Sequence, residues 1–141
     1  MTPRIFVDTN VMIDLLGERH PFYDSAAKLA TLSDNGQIIM IVSALSYTTA
    51  NYILSRFEGS EIAKEKLRKF KIISEISNLT EEIIEKSLNS NFTDFEDAIQ
   101  YYSAIKSKCN ILITRNGKDF KESKIPVMTA EEFLNSIKKA R

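Results

Sequence analysis

Residues 5–10 have the sequence Ile5-Phe6-Val7-Asp8-Thr9-Asn10, a short apolar run that stops at three polar side chains. An unbroken apolar run of this length is typical of a strand that is buried on both faces of a parallel sheet. Asp, Thr and Asn favour the turn that leads from a strand into a helix. We therefore predict that the first strand ends at Val7 and that Asp8 lies at its carboxyl end.

Strands alternate with helices along the rest of the chain. Further apolar runs predict strands at 38–42, at 72–73 with Ile76, at 110–114 and at 126–128. Between them apolar residues recur at helical spacing. Thr93 with Glu96 forms a capping-box pattern before one helix, and Thr129 with Glu132 is expected to cap the final helix. This alternation predicts an α/β fold, a three-layer α/β/α sandwich around a mainly parallel sheet of about five strands.

The net charge of the chain excludes a protein that binds nucleic acid non-specifically through an overall positive charge. The 141 residues contain 19 Lys and Arg and 19 Asp and Glu, so the formal net charge is zero. Any contact with RNA then needs a local basic patch, either in the stretch from Glu61 to Lys71 or around Arg115, Lys118, Lys121 and Lys124. A solvated helix face is the alternative interpretation of the first stretch.

The single cysteine and the distribution of apolar residues indicate a cytoplasmic protein. Cys109 has no partner for an internal disulfide, and beside the apolar residues 111–113 it is expected to be a small buried side chain. No apolar stretch approaches the ~18 residues that a membrane span requires. We expect one cytoplasmic domain over residues 1–141, with no membrane partner.

Carboxylates follow strand ends or open helices at several distant points of the sequence. In parallel sheets ligands bind beyond the carboxyl ends of the strands, which places Asp8, Ser43 and Asn116 near one rim. Asp94 and Asp97 open a later helix, and Asp119 follows the fourth predicted strand. Carboxylates that meet repel one another unless a cation lies between them, and oxygen ligands suit Mg²⁺ or Mn²⁺. Helix capping is the alternative interpretation of these acids.

A cation held in this way suggests phosphodiester chemistry. It can deprotonate a water for in-line attack and stabilise charge on the phosphate, without a His or Ser nucleophile. The one histidine, His20, precedes a proline at a helix start and is expected to be structural. Arg115 ends a strand and is expected to bind a phosphate, with a surface ion pair as the alternative. Tyr101 and Tyr102 are candidates to stack on bases, but their helical spacing predicts that at least one of them belongs to the core.

Three motifs carry a family resemblance. Phe6-Val7-Asp8-Thr9-Asn10-Val11 resembles the opening motif of PIN domains, and Asp97-Ala98-Ile99 and Leu112-Ile113-Thr114-Arg115-Asn116 resemble their later motifs. The resemblance covers essentially the whole chain. It implies a Mg²⁺- or Mn²⁺-dependent ribonuclease acting on single-stranded RNA, often the toxin of a toxin–antitoxin pair. It also implies a homodimer that a small antitoxin inhibits.

The resemblance assigns roles by position. Asp8 matches the first acidic ligand of the family and Asp97 matches the acid at the start of the late helix, so both are expected to be catalytic. The same two residues, together with Asp119, are the expected metal ligands. Supporting roles are expected for Thr9, Asn10, Asn116 and Asp94.

Two departures from the family pattern leave other functions open. The family usually has a Glu in the helix after the second strand, whereas residues 43–49 contain no acid and leave Ser46, Thr48 or Thr49 as neutral substitutes. Asn116 also stands where the family often has Asp. The alternative is a degenerate PIN domain that binds RNA or a protein partner without cutting. A phosphatase of the haloacid dehalogenase type is weaker, because Asn10 occupies the place of its second Asp.

Overall fold

The first strand lies at the centre of a parallel sheet in the computed structural model, which describes residues 2–140. The strands are β1 (Arg4–Val7), β2 (Ile39–Ser43), β3 (Glu75–Ser77), β4 (Ile111–Ile113) and β5 (Val127–Met128). Their order is β3-β2-β1-β4-β5, and every neighbouring pair is parallel. The predicted parallel sheet of five strands is confirmed.

Helices connect the strands and cover both faces of the sheet. Within residues 2–140 they are α1 (Thr9–Leu16), α2 (Tyr23–Asp34), α3 (Ala44–Glu58), α4 (Ser60–Ile72), α5 (Glu81–Leu88), α6 (Phe95–Lys106), α7 (Ala130–Ala140) and a 3-10 turn (Gly117–Phe120). Five of them begin after a residue whose side chain accepts a backbone N–H of the first turn: Asp8, Ser43, Thr80, Asp94 and Thr129. These caps explain why each of these five helices starts where its preceding segment ends.

Successive side chains of β1 enter two separate cores. Ile5 and Val7 pack on the face that is covered by α1, α2, α3, α4 and α7. Phe6 packs on the opposite face, with Tyr101 of α6 and Phe120 of the 3-10 turn. Residues of one strand can alternate between two cores only if helices cover the sheet on both sides. The predicted three-layer sandwich is therefore confirmed.

The order of the strands creates one crevice at the carboxyl edge of the sheet. The chain builds β1, β2 and β3 in one direction and then crosses to place β4 on the other side of β1. Val7 pairs with Ile113, and the N–H of Asp8 donates to the carbonyl of Ile113 at 2.9 Å. Asp8 and Thr114 therefore leave the sheet side by side, at the switch point where α/β proteins bind ligands.

The predicted third strand is partly wrong. Ile72 ends α4 and Ile73 follows as its C-cap, so neither belongs to a strand, and β3 consists of Glu75–Ser77. Ile72 is 82% exposed. Ile73 is half-buried and packs against the core. Two consecutive isoleucines at the end of a helix look the same in the sequence as the start of a buried strand, which is why the prediction was wrong.

One predicted cap is also wrong, while another is confirmed. Asp94, not Thr93, caps α6, because the helix starts one residue later than the Thr93–Glu96 pattern implies. The capping box at the start of α7 does form. The hydroxyl of Thr129 accepts the N–H of Glu132 at 3.0 Å, and the Glu132 carboxylate accepts the N–H of Thr129 at 2.9 Å.

Cys109 is buried, as expected, and burial raises the pKa of its thiol to about 12. The thiol is therefore a poor nucleophile at neutral pH.

None of the helices in the described part of the chain has the length and apolar character that crossing a membrane requires.

The position of β4 predicts a difference between two Leu→Ala substitutions. Leu112 is 0% exposed, so Leu112→Ala is expected to lower the free energy of unfolding in urea by about 2–5 kcal/mol. Leu88 of α5 is 68% exposed, and Leu88→Ala is expected to change it by about 0.5 kcal/mol or less. Equal losses in the two variants would contradict the interior position of β4.

Candidate active site

Asp8 is fixed at both carboxylate oxygens. Its Oδ1 accepts the backbone N–H of Thr9 at 2.8 Å, and its Oδ2 accepts the hydroxyl of Thr114 at 2.9 Å. The residue is 6% exposed. Asp8 does cap α1, yet each carboxylate oxygen retains acceptor capacity beyond these bonds. The fold therefore holds an oriented acceptor at the carboxyl edge of the sheet.

The surroundings of Asp8 destabilise the ionised form of its carboxyl group. Burial raises the pKa of Asp8, and the hydrogen bonds from Thr114 and Thr9 only partly offset this effect. The negative charge of Asp119 raises the pKa further, whereas the positive charge of Arg115 lowers it. A cation placed beside Asp8 would stabilise its ionised form.

Asp97 lies in the first turn of α6 and is the second strongly perturbed acid. Its pKa is raised to about 7, first by burial and then by the negative charges of Asp94, Asp8, Asp119 and Glu96. These charges come from the end of β1, the start of α6 and the 3-10 turn. Carboxylates from three distant segments are therefore close enough to repel one another.

The carboxylate oxygens of Asp8 and Asp97 are ligands of the type that Mg²⁺ prefers. Within residues 2–140 no three Asp, Glu, His or Cys side chains converge closely enough to hold an ion by themselves. Mg²⁺, however, commonly binds through one or two carboxylates and keeps several waters. The repulsion around Asp8 and Asp97 is the situation that such an ion relieves. Direct ligation by Asp119, which is exposed, stays a prediction.

A neutral hydrogen-bonded cluster adjoins Asp8 and joins three helices. The amide Nε2 of Gln100 donates to Thr9 Oγ1 at 2.7 Å and to Ser46 Oγ at 3.1 Å, and the two hydroxyl oxygens lie 2.6 Å apart. Ser46 is one of the neutral residues in the segment where the family resemblance implies an acid. The position therefore contributes a buried hydroxyl, and no negative charge, to this region.

Sequence reasoning missed Gln100 and Thr114. Gln100 lies three residues after Asp97, on the buried side of α6 between Ile99 and Tyr101. The sequence did contain a signal for Gln100: a glutamine lies three residues after a candidate acid, among apolar residues of the same helix, and such a glutamine is expected to have a buried hydrogen-bond partner. Thr114 was assigned to the end of a strand, and its bond to Asp8 depends on the pairing of β1 with β4.

The other predicted supporting residues have mainly local contacts. The N–H of Asn116 donates to the Thr114 hydroxyl at 3.1 Å, and this same hydroxyl donates to Asp8.

The hydrogen bonds of Asn10 and Asp94 do not involve Asp8. The carbonyl of Asn10 accepts from Arg19 at 3.0 Å. Asp94 accepts the N–H of Asp97 at 3.0 Å and so caps α6. Supporting roles in catalysis for Asn10, Asp94 and Asn116 stay predictions.

Arg115 forms an ion pair with a buried acid. Its guanidinium donates to the two carboxylate oxygens of Asp14 at 2.8 and 3.2 Å and lies 4.0 Å from the ring centroid of Phe22. Asp14 is buried and also accepts from Arg19 at 2.9 Å. Binding of a phosphate by Arg115 stays a prediction, and its guanidinium is already held by Asp14.

Two basic residues of the Glu61–Lys71 stretch are engaged within the protein. Lys66 donates to the carbonyl of Leu16 at 2.7 Å and to Glu58 at 2.8 Å, and Arg68 pairs with Glu65 at 3.1 Å. These contacts favour the interpretation of this stretch as a solvated helix face rather than an RNA-binding patch.

An open cavity of about 610 Å³ adjoins α6 one helical turn beyond Asp97. Its aromatic walls are Phe92, Tyr101 and Tyr102, and its basic residues are Lys86 and Lys124; Asn89, Asn91, Ile105 and Glu122 complete the lining. Tyr101 is buried and accepts the N–H of Lys124 at 3.1 Å, whereas Tyr102 is half-buried. The prediction that at least one of the two tyrosines belongs to the core is confirmed.

Comparison with known families identifies the fold. Residues 4–118 match the family model described as the PIN domain. The chain belongs to the PIN domain family. The resemblance drawn from the three sequence motifs is thereby confirmed, and the match includes the segments that carry Asp8 and Asp97.

Known PIN proteins resemble this chain over most of its length. Ribonuclease VapC1 of Aquifex aeolicus (strain VF5) is 29% identical, and the alignment covers 92% of each chain. The structure of a toxin-antitoxin complex from Klebsiella pneumoniae has a TM-score of 0.66 at 24% identity and covers 89% of this chain and 97% of that chain. FitAcB from Neisseria gonorrhoeae has a TM-score of 0.67 at 16% identity and covers 90% and 98%. At these identities the structural matches show a common fold.

The raised pKa of Asp97 predicts how stability depends on pH without metal. In the folded protein the pKa of the Asp97 carboxyl is raised to about 7, whereas in the unfolded chain an Asp carboxyl loses its proton near pH 4. The contribution of this group to stability is therefore present below about pH 4 and is lost as the pH rises towards 7. In EDTA, Asp97→Asn is expected to have a higher free energy of unfolding than the wild type at pH 8, with a smaller difference at pH 5.

Asp24→Asn is the matched control for this experiment. Asp24 lies in the first turn of α2, where its charge interacts favourably with the helix dipole, so its loss is expected to lower the free energy of unfolding at pH 8. A decrease in the Asp97→Asn variant at pH 8 would contradict the repulsion that we assign to Asp97.

Proposed function

We propose that this PIN domain is an endoribonuclease that cleaves single-stranded RNA with the help of Mg²⁺ or Mn²⁺. The proposal is supported by Asp8 at the switch point of the sheet and by Asp97 in the first turn of α6, whose pKa is raised by burial and, in part, by the negative charge of Asp8. Membership of the PIN family and a relative named as a ribonuclease, at 29% identity, support the reaction class. We also propose that residues 1–141 act as one domain.

The residues of the chain position two carboxylates for this reaction. A divalent cation, when bound, supplies the activation of a water and neutralises charge that develops on the phosphate. The N–H of Thr9 and the hydroxyl of Thr114 keep the Asp8 carboxylate in one orientation. The Asp94 cap fixes the first turn of α6 and thereby the backbone of Asp97. The mechanism requires no His or Ser nucleophile.

The aromatic cavity beside α6 supports single-stranded RNA as the substrate. Unpaired bases stack on aromatic faces, and the cavity offers the half-buried ring of Tyr102. Lys86 and Lys124 supply positive charge at its walls, although Glu122 partly offsets it. Double-stranded RNA would keep its bases stacked within the helix, away from such a surface.

We further propose that the protein is the toxin of a toxin–antitoxin pair and that it forms a homodimer. The structural relatives include proteins whose structures are described as toxin-antitoxin complexes. Tyr52, Phe57 and Ile62 of α3 and α4 are large apolar side chains that remain exposed, as at protein–protein interfaces. The cytoplasmic location expected from the sequence stays a prediction.

Two Asp→Asn substitutions test the proposed reaction. Asp8→Asn and Asp97→Asn are each expected to reduce the cleavage of labelled single-stranded RNA in Mn²⁺ by roughly 100-fold or more, because each removes a charge that holds the cation. EDTA is expected to abolish cleavage by the wild type. Asp34→Asn, an exposed change at the end of α2, is the control and is expected to retain activity. Cleavage that survives both substitutions and chelation would refute the proposal.

A PIN domain that binds without cutting is the second candidate. Ser46 and Asn116 favour it, since they stand where the family resemblance implies acids. Calorimetry separates the two functions. Mn²⁺ binding that Asp8→Ala abolishes supports the nuclease, whereas RNA binding without Mn²⁺ binding supports the second candidate.

The aromatic cavity predicts a specific loss of RNA affinity. Tyr102→Ala is expected to weaken binding of single-stranded RNA roughly 5- to 100-fold in a fluorescence polarisation assay, the effect of removing one base-stacking ring. Tyr102→Phe keeps the ring and is expected to bind normally. Tyr23→Ala is the matched control, because Tyr23 of α2 is also half-buried but does not line the cavity. Equal effects of Tyr102→Ala and Tyr23→Ala would exclude the cavity as a binding site for bases.

A further inference from the structure

The number of protons in the Thr9–Ser46–Gln100 cluster limits how its hydrogen bonds can run. Nε2 of Gln100 donates to both hydroxyl oxygens, so each of them is an acceptor. The hydroxyls are 2.6 Å apart, and one of them donates to the other. Each hydroxyl has one proton. The cluster thus uses one hydroxyl proton internally and leaves the second proton free.

Burial decides which hydroxyl keeps the free proton. Ser46 is 0% exposed, and its hydroxyl has no hydrogen-bond partner outside the cluster within residues 2–140. A free proton on Ser46 would be an unsatisfied buried donor, which costs about 1–3 kcal/mol. Thr9 is only half-buried and can donate outwards. Ser46 therefore donates to Thr9, and Thr9 has the free proton.

The orientation of the Gln100 amide supports the same assignment. Gln100 is 3% exposed, and its Oε1 is a buried oxygen without a hydrogen-bond partner in the described part of the chain. Turning the amide over would pair Oε1 but would bury both N–H donors without acceptors. Buried N–H groups without partners are rarer in proteins than under-satisfied carbonyl oxygens. The amide therefore donates to both hydroxyls.

This arrangement makes Thr9 a donor and not a metal ligand. Thr9 Oγ1 accepts from Gln100 and from Ser46, so both of its lone pairs are in use and neither is available to a cation. Its remaining bond is one donated hydrogen bond, directed away from the two buried partners. Thr9 also directly follows Asp8 and donates its N–H to that carboxylate. An outward O–H beside the acidic pair suits a negatively charged oxygen.

We propose that the Thr9 hydroxyl binds a phosphate oxygen of the RNA, and that Ser46 and Gln100 are positioning residues that direct this hydroxyl outwards. Ser46, in the segment where the family resemblance implies an acidic ligand, then takes no part in metal binding. The inference rests on the proposed function, because it assigns a substrate contact within the same site.

Thr9→Val tests the inference, with Thr9→Ser as the matched variant that keeps the hydroxyl. Two quantities are measured: Mn²⁺ affinity by calorimetry, and the affinity for a short fluorescein-labelled single-stranded RNA by polarisation. The RNA measurement uses Ca²⁺ in place of Mn²⁺, and a gel shows that the RNA stays intact. Thr9→Val is expected to bind Mn²⁺ like the wild type and to bind RNA roughly 10- to 100-fold more weakly, the loss of one hydrogen bond to a charged oxygen. Thr9→Ser is expected to keep both affinities.

A double-mutant cycle tests the positioning residues. Gln100→Leu removes both donated bonds and is expected to weaken RNA binding less than Thr9→Val does. The combined Thr9→Val and Gln100→Leu variant is expected to lose no more RNA affinity than Thr9→Val alone, because Gln100 acts through the Thr9 hydroxyl. Additive losses would indicate that Gln100 has only a structural role, and would overturn its assignment.

The outcomes separate this inference from the proposed function. Weaker Mn²⁺ binding in Thr9→Val, or unchanged RNA binding, overturns the role of Thr9 even if the wild type cleaves RNA. A wild type that binds RNA but neither binds Mn²⁺ nor cleaves RNA contradicts the proposed function, while the RNA affinities still decide the role of Thr9. A wild type that binds no RNA overturns both.

Discussion

Repulsion among carboxylates at one edge of the sheet is the constraint on which the candidate site depends. Burial and neighbouring charge raise the pKa of Asp97 to about 7, and burial also raises the pKa of Asp8. Such acids lower the stability of a protein at neutral pH unless a cation compensates them. The fold tolerates them because its apolar cores on the two faces of the sheet contribute most of the stability.

The acids near the site differ in how far the protein itself compensates their negative charge. Asp14 has two arginine partners, Arg19 and Arg115. Asp8 has two hydrogen bonds to its carboxylate and the positive charge of Arg115 nearby. The carboxylate of Asp97 has neither a hydrogen bond nor an ion pair with any side chain of residues 2–140. Asp97 is thus the acid whose ionisation depends most on an added cation. The neighbouring Thr9–Ser46–Gln100 cluster is neutral and adds no further negative charge.

The sequence was sufficient to predict most of the helices and strands but not the contacts between them. The apolar run before Asp8 correctly located the end of β1, since a buried parallel strand has a local signature. Ile72 was misassigned because exposed and buried isoleucines look alike in sequence. The bond from Thr114 to Asp8 and the cluster around Gln100 were missed, because both depend on β4 and α6 lying beside β1. This arrangement follows from the strand order β3-β2-β1-β4-β5, which no local pattern encodes.

A crystal structure of the protein with Mn²⁺, with the ion located by its anomalous scattering, tests the central claim most directly. The account predicts an ion at the carboxyl edge of the sheet, with oxygens of both Asp8 and Asp97 about 2 Å from it and the Thr9 hydroxyl outside its coordination sphere. An ion bound elsewhere, or one that contacts neither aspartate, would contradict the account.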